Sequence, residues 1–131
     1  LVGAPMYLQG REMPQKPKDL VHHECINQRL PKQGCMLYTW KFMHKKREVK
    51  IHVNGCLTFS NIHHVLAAAE AGYGLAYLPC SLVTPAIAKG SLVAMMADQC
   101  VTLPPYYICF PKRLRDSIGF SKLLDVLRHE G

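Results

Sequence analysis

The chain has 131 residues, of which 49% are apolar and 19% are charged, and its formal net charge is +7. This composition excludes a disordered or fibrous protein and allows one domain with a core of its own. The apolar runs are much shorter than the roughly 20 residues that span a bilayer, so we expect no membrane protein. No basic and apolar leader opens the chain, so we expect no secretion signal. The basic balance favours a nucleic acid, a membrane surface or an acidic metabolite as partner, or only a solvated basic surface.

The first elements are short. An abrupt apolar start predicts a strand over residues 2–5 and a short helix over residues 6–11. Two prolines make residues 13–17 a loop. Asp19 is suited to cap a short turn before a strand over residues 24–26. We therefore expect a strand, a helix and a second strand in this first segment.

Two strands with one buried face each are predicted next. Bulky residues alternate over residues 37–43, at Tyr38, Trp40 and Phe42, and apolar residues alternate again at Val49, Ile51 and Val53. The basic segment at residues 45–47 makes a charged turn between them. Asn54-Gly55 then suits either a hairpin turn or a bulge in a longer strand.

The clearest helix covers residues 61–72. Apolar residues recur at helical spacing, at Ile62, Val65, Leu66 and Ala69. Ser60 and Asn61 are both good N-cap residues, and Gly72 is a natural C-terminal stop.

Strands and helices alternate over the rest of the chain. The pattern predicts, in order, strand, helix, strand, strand and helix, at residues 74–78, 81–89, 92–96, 106–110 and 116–129. Pro79 ends the first of these strands, and Pro85 either interrupts or starts the helix that follows. Asp116 or Ser117 caps the last helix. Alternating strands and helices favour an α/β sheet domain.

The cysteines and histidines form no recognised metal motif. Six cysteines are scattered without a CxxC or zinc-ribbon spacing, which favours reduced thiols in the cytoplasm. His22-His23 with Cys25, and His63-His64, raise a metal hypothesis. Adjacent histidines point in different directions, however, so each pair offers at most one ligand to a given site. We expect no metal and no cofactor.

The sequence resembles the LysR-type transcriptional regulators. The resemblance is most specific in the stretch from Val53 to Asn61 and in the AA-x-x-G-x-G-x-x-x-x-P pattern that ends at Pro79. It continues over nearly the whole chain in order, at residues 4–8, 17–20, 40–42, 89–93, 104–107, 110–113 and 124–128. Ala4 and Cys80 depart from the pattern, since a serine and an acidic or polar residue are common there.

The resemblance implies a type 2 periplasmic-binding-protein-like α/β fold in which the second lobe is complete and the first lobe is partial. Residues 1–24 would be a remnant of the first effector lobe, and residues 25–107 the second lobe. Residues 108–131 would form the return strand and the C-terminal helix of the first lobe.

The function that the resemblance implies is control of transcription by a small effector. The chain would be an effector-sensing domain that binds a small, anionic metabolite between the lobes, in a cytoplasmic homo-oligomer. It would reach DNA only through a winged helix-turn-helix that is absent from this chain. The alternatives are a basic nucleic-acid-binding domain and a small-substrate enzyme on a similar fold. No nucleophile motif or phosphate-binding loop is present, so we expect no catalytic residues and no enzyme.

The predicted effector site centres on the start of the clearest helix. Thr58, Ser60 and Asn61 place hydroxyl and amide groups where a helix start favours an anion, although ordinary N-capping explains them equally. Arg29 either pairs with an acidic effector or is a surface arginine. Phe59 and Pro79 either line the cleft or pack in the core. The basic patch around residues 44–47 either touches phosphate or is a solvated turn.

Overall fold

The computed structural model describes residues 1–30, 36–102, 107–114 and 117–129. Within these residues the strands are β1 (Val2–Gly3), β2 (Asn27–Leu30), β3 (Met36–Leu37), β4 (Trp40–His44), β5 (Arg47–Ile51), β6 (Thr58–Phe59) and β7 (Val93–Ala94). The α-helices are α1 (Pro5–Leu8), α2 (Ile62–Glu70), α3 (Cys80–Ala88) and α4 (Ile118–His129), and shorter 3-10 helices cover Pro17–His22, Ala97–Gln99 and Lys112–Leu114. No helix in the described ranges is long and apolar enough to cross a membrane.

Short strands and single bridges join into one sheet-like layer. β1 pairs antiparallel with β7, and Val2 is bridged to Ala76. Leu75 is bridged in parallel to Cys25, and β2, which follows Cys25, runs parallel to β6. The strand predicted over residues 74–78 is therefore reduced to bridges at Leu75 and Ala76, because its neighbours pair with it only there.

This layer is buried on both faces. Neighbouring residues alternate between two core clusters: Ile26 and Ala76 face the cluster that includes α2 and α3, whereas Cys25 and Leu75 face the cluster that includes Trp40 and Phe42. Side chains that alternate across a strand produce this division. Burial on both faces is typical of parallel segments in α/β folds.

Some side chains of the first 24 residues contribute to the same two clusters. Val2 and Ala4 lie in the cluster of α2, and Leu1, Tyr7 and Leu20 lie in the cluster of Trp40. The lobe boundaries expected at residues 24 and 107 stay predictions.

The hairpin of β4 and β5 confirms two half-buried strands, but with other bounds than predicted, since Tyr38 and Val53 lie outside them. Its turn is Lys45-Lys46, with φ of 50° and 62°. The alternatives for Asn54-Gly55 are both wrong, because β5 ends at Ile51. The Asn54 carbonyl instead accepts a hydrogen bond from the Cys25 amide at 3.0 Å, which brings Gly55 against the Cys25 backbone.

The long helices were predicted well, and the last strand was not. α2, α3 and α4 occupy the predicted segments, and α3 contains Pro85 in its interior. No strand forms over residues 107–110, so the described part of the predicted strand at 106–110 is wrong. Apolar alternation alone does not make a strand when no neighbouring strand is there to pair with it. Tyr106 and the predicted cap Asp116 lie outside the described residues.

Candidate functional site

Three parallel segments end along one edge of the central layer. Asn27 pairs with Thr58, so Arg29 and Ser60 each lie two residues beyond that pair. Cys25 is bridged to Leu75, so Arg29 and Pro79 each lie four residues beyond that bridge. Because all three segments run in the same direction, Arg29, Ser60 and Pro79 all follow the paired positions at the same end of the layer. Arg29 and Ser60 are level in the register of β2 and β6, whereas on the Leu75 side of β2 the strand β3 pairs with Arg29, so Pro79 is not its direct neighbour. We call this region the carboxyl edge; in open α/β sheets ligands bind outside the carboxyl ends of the strands.

The start of α2 is capped by Asn61. Its side-chain Oδ1 accepts from the His63 amide at 2.8 Å. Its carbonyl oxygen accepts from the amides of His64 and Val65 at 3.1 and 3.3 Å. Of the two predicted caps, the structure therefore uses Asn61 rather than Ser60. Most first-turn amides of α2 already have hydrogen-bond partners, so this helix start has fewer free donors for an anion than the sequence suggested.

The start of α3 offers more donors than that of α2. Pro79 is its N-cap residue, and no side chain caps its first turn. The amides of Leu82 and Val83 bond to the Pro79 carbonyl at 3.1 and 3.4 Å, which leaves the amides of Cys80 and Ser81 as the open donors at this end. The sequence does not signal these donors, because every residue except proline carries a backbone amide.

The predicted site residues divide into exposed polar groups and packing groups. Arg29, Thr58, Ser60 and Asn61 are exposed. Phe59 and Pro79 are half-buried, and the Phe59 ring packs against the core cluster of α2 and lies edge-on to His64 with 6.0 Å between ring centroids. Within the described ranges Arg29 has no carboxylate partner, so its charge is available at the carboxyl edge.

Two surface grooves lie away from this edge. One of about 590 Å³ is mostly apolar and is lined by Pro5, Met6, Leu8, Gln9, Met13 and Val93. A smaller one of about 210 Å³ lies between the 3-10 turn that starts at Pro17 and the residues that follow β5. Neither is lined by a predicted effector residue.

The described part of the chain shows neither a metal-binding cluster nor a nucleophile activated by a lowered pKa. No three histidine, cysteine or acidic side chains there are grouped to hold a metal ion. Burial raises the pKa of the Cys25 thiol to about 12, and burial likewise raises the pKa of Tyr77 to about 12. Both groups are therefore protonated at neutral pH, and neither is an activated nucleophile.

Comparison with known proteins gives the family. The family model described as the LysR substrate binding domain matches residues 1–131. The chain is 39% identical over 129 residues to a putative transcriptional regulator of Pseudomonas aeruginosa, covering 98% of the chain and 42% of that protein. It is 33% identical over 131 residues to the HTH-type transcriptional regulator PgrR of Escherichia coli, covering 100% and 44%. The chain thus spans less than half the length of these relatives.

Solved structures agree on the fold. The CrgA regulatory domain, from a LysR-type transcriptional regulator of Neisseria meningitidis, superposes with a TM-score of 0.77 at 22% identity, over 98% of this chain and 62% of that one. The regulatory domain of AphB from Vibrio vulnificus superposes with a TM-score of 0.66 at 25% identity, over 77% and 49%. The chain belongs to the LysR substrate-binding domain family and has the type 2 periplasmic-binding-protein-like α/β fold of LysR regulatory domains.

Proposed function

We propose that this chain is the effector-sensing part of a cytoplasmic LysR-type transcriptional regulator and that it binds a small anionic metabolite at the carboxyl edge. The observation that supports the proposal is the register of β2 and β6, which makes Arg29 and Ser60 level at the end of the layer where the Leu75 segment leads to Pro79 and the start of α3. LysR-type regulators bind small effectors, form oligomers and bind DNA through an N-terminal domain. We extend those properties to the protein that contains this chain.

An anion fits the groups at this edge better than a neutral ligand does. A guanidinium binds a carboxylate through two parallel hydrogen bonds, and Arg29 has no competing acid among the described residues. The open amides at the start of α3 lie at the positive end of its dipole, which also favours negative charge. The exposed hydroxyls of Thr58 and Ser60 add neutral donors that distinguish one carboxylate from another.

The proposed action is regulation rather than catalysis. An effector that binds one arrangement of the lobes more tightly than another shifts the population toward it. In a homo-oligomer that shift changes the geometry of the subunits and therefore of the DNA-binding domains. The edge needs only to bind and release, so no nucleophile, metal or cofactor enters this mechanism.

A thermal-shift screen tests the proposal directly. Small carboxylates are compared with the matching neutral amides, because a ligand of the folded state stabilises it by about 2.7 kcal/mol at a concentration of 100 Kd. We expect a carboxylate to raise the melting temperature and Arg29→Gln to abolish that rise. Arg113→Gln, which removes an exposed charge from a different element, keeps it. Equal shifts with the amides, or an unchanged response in Arg29→Gln, would contradict an anion site here.

Cys80 gives a second, independent test of the location. Its side chain is exposed at the first residue of α3, so a bulky maleimide attached there obstructs the carboxyl edge. We expect maleimide treatment to block the carboxylate response of the wild-type chain and to leave the response of Cys80→Ser intact. The other cysteines are the same in both proteins, so a loss of response in both places the ligand elsewhere.

A further inference from the structure

The hairpin of β4 and β5 concentrates positive charge. Residues 40–52 hold five lysines and arginines against the single glutamate Glu48. We call Lys41, Lys45, Lys46, Arg47 and Lys50 the basic hairpin. Lys41 Nζ lies 3.6 Å from Glu48 Oε1, and among the described residues the other four cations have no carboxylate partner. The carboxyl edge is formed by other strands, so the proposed effector site does not use these charges.

The strand register sets like charges opposite each other. Lys41 pairs directly with Lys50. Like charges at directly opposed positions destabilise a strand pair. Glu48 relieves only Lys41, so the hairpin carries a repulsion that an anion lying along it would offset.

The turn also departs from what stability alone would select. Lys45 and Lys46 both have positive φ, at 50° and 62°. Two-residue turns of this kind favour Asn-Gly, because side chains other than those of Asn, Asp and Gly are strained in the left-handed region. Residues held in such conformations cluster at binding and functional sites. Here the two strained residues are both lysines, so two ammonium groups extend from the tip of the hairpin.

The base of the hairpin is fixed to the core. Trp40 and Phe42 are fully buried, with 1% and 0% of their surfaces exposed. The Tyr77 hydroxyl donates to the Lys41 carbonyl at 2.6 Å, and its ring stacks on Trp40. The cations are therefore presented on a rigid support, which reduces the entropy lost when they bind a partner.

We infer that the basic hairpin binds the phosphate backbone of duplex DNA without reading its sequence. Lys41 lies in β4 and Lys45 in the turn four residues later, at most roughly 13 Å away, and this spread suits a polyanion rather than one small anion. A membrane surface is less suited, because interfacial binding needs several large apolar side chains, whereas Met43, exposed to 38%, is the only one that β4, β5 and their turn expose. The inference rests on the proposed function, since the rest of the regulator brings DNA near this domain.

The test uses a variant that removes charge and improves the turn. Lys45→Asn with Lys46→Gly deletes two cations and installs the residues that this turn prefers. Binding to a short random-sequence duplex is measured by fluorescence anisotropy from about 50 to 200 mM salt. We expect wild-type affinity to fall with salt, and the variant to bind more weakly with a log–log slope shallower by about 1.8. Its melting temperature is expected to equal or exceed that of the wild type.

The matched control removes the same charge elsewhere. Lys89→Gln with Lys122→Gln changes two exposed lysines on other elements and is expected to keep the wild-type slope. The inference fails if the wild-type chain does not bind the duplex at low salt, if both double variants lose binding equally, or if anionic vesicles compete better than DNA. The carboxylate response of the hairpin variant is expected to persist, and Arg29→Gln is expected to keep DNA binding. The two proposals therefore fail separately.

Discussion

The backbones of Gly55 and Cys25 approach so closely that no side chain fits between them. A Cβ on residue 55 would lie 1.7 Å from the Cys25 carbonyl oxygen and 2.7 Å from its carbonyl carbon. The Cys25 amide bonds to the Asn54 carbonyl at 3.0 Å, so this contact ties the segment after the hairpin to the central layer. Glycine is required here for close approach, not for the turn that its sequence context suggested.

Gly55→Ala is expected to destabilise the chain severely. Backbone atoms cannot yield as a flexible side chain does, so we expect the free energy of unfolding to fall by about 3 kcal/mol or more. Urea denaturation measures the change. Gly119→Ala is the control, because nothing lies within 4 Å of a Cβ there and its helical backbone suits alanine. A Gly55→Ala protein as stable as Gly119→Ala would show that the two backbones are farther apart.

At the scale of a helix, the start of α2 shows a difference between two adjacent residues, Ser60 and Asn61, that are equally good N-cap residues by type. Asn61 accepts the amide hydrogen bond of the first turn, and Ser60 lies one residue outside it. We expect Asn61→Ala to lower the free energy of unfolding by about 1 kcal/mol. Ser60→Ala is expected to change it by a few tenths at most, since Ser60 caps nothing.

Denaturation of the two alanine variants side by side makes each the control for the other. Both changes replace a small polar side chain at neighbouring exposed positions. An equal loss of stability in the two proteins would mean that the cap is shared, and a larger loss in Ser60→Ala would mean that the helix begins one residue earlier.

Hydrophobic periodicity predicted the elements whose burial is one-sided. α2 and the two strands of the hairpin follow the 3.6-residue and 2-residue patterns, because each buries one face. The pattern failed for residues 107–110, which pair with no strand among the residues that the structure describes. It also failed at Gly55, where the constraint comes from Cys25, distant in sequence. Pairing across the sheet is a non-local property that local composition does not record.

For the candidate site, the sequence predicted which side chains would take part but neither their arrangement nor the backbone donors. The resemblance indicated Arg29, the residues before α2 and Pro79, and the register of β2 and β6 makes Arg29 level with Ser60. That alignment depends on which segments pair and in which direction, so the residues alone did not give it. The open amides of Cys80 and Ser81 at the start of α3 were missed because every residue except proline carries a backbone amide, so the residue type does not show which amides are unpaired.

At the scale of the whole molecule, the lowered pKa values of two groups, His23 and Asp19, make the folded chain less stable in acid. Burial, together with the charges of Arg11 and His22, lowers the pKa of His23 below its ordinary value of 6.5. Hydrogen bonds from the Gln15 and Lys16 amides, each 2.9 Å, lower the pKa of Asp19 below its ordinary value of 3.8. In both cases the unfolded chain binds more protons than the folded chain between the two pKa values, so stability falls as pH falls through that interval.

The melting temperature is therefore expected to fall in two separate pH windows. The His23 window begins near 6.5 and extends downward, and the Asp19 window lies below 3.8. His23→Gln is expected to flatten the upper window and leave the lower one, and Asp19→Asn to do the reverse. Thermal melts of the three proteins across both windows provide the measurement. A wild-type melting temperature that rises on acidification toward pH 5 would contradict the assigned direction for His23.

The buried central layer also restricts how the chain can change in length. Cys25 and Ile26 point into opposite clusters, and so do Leu75 and Ala76. Alternate residues along each segment therefore face alternate clusters. Inserting or deleting one residue inside such a segment exchanges the contents of the two clusters, whereas two residues restore the assignment. Homologues are thus expected to tolerate odd-numbered length changes at the turns and not between the paired positions.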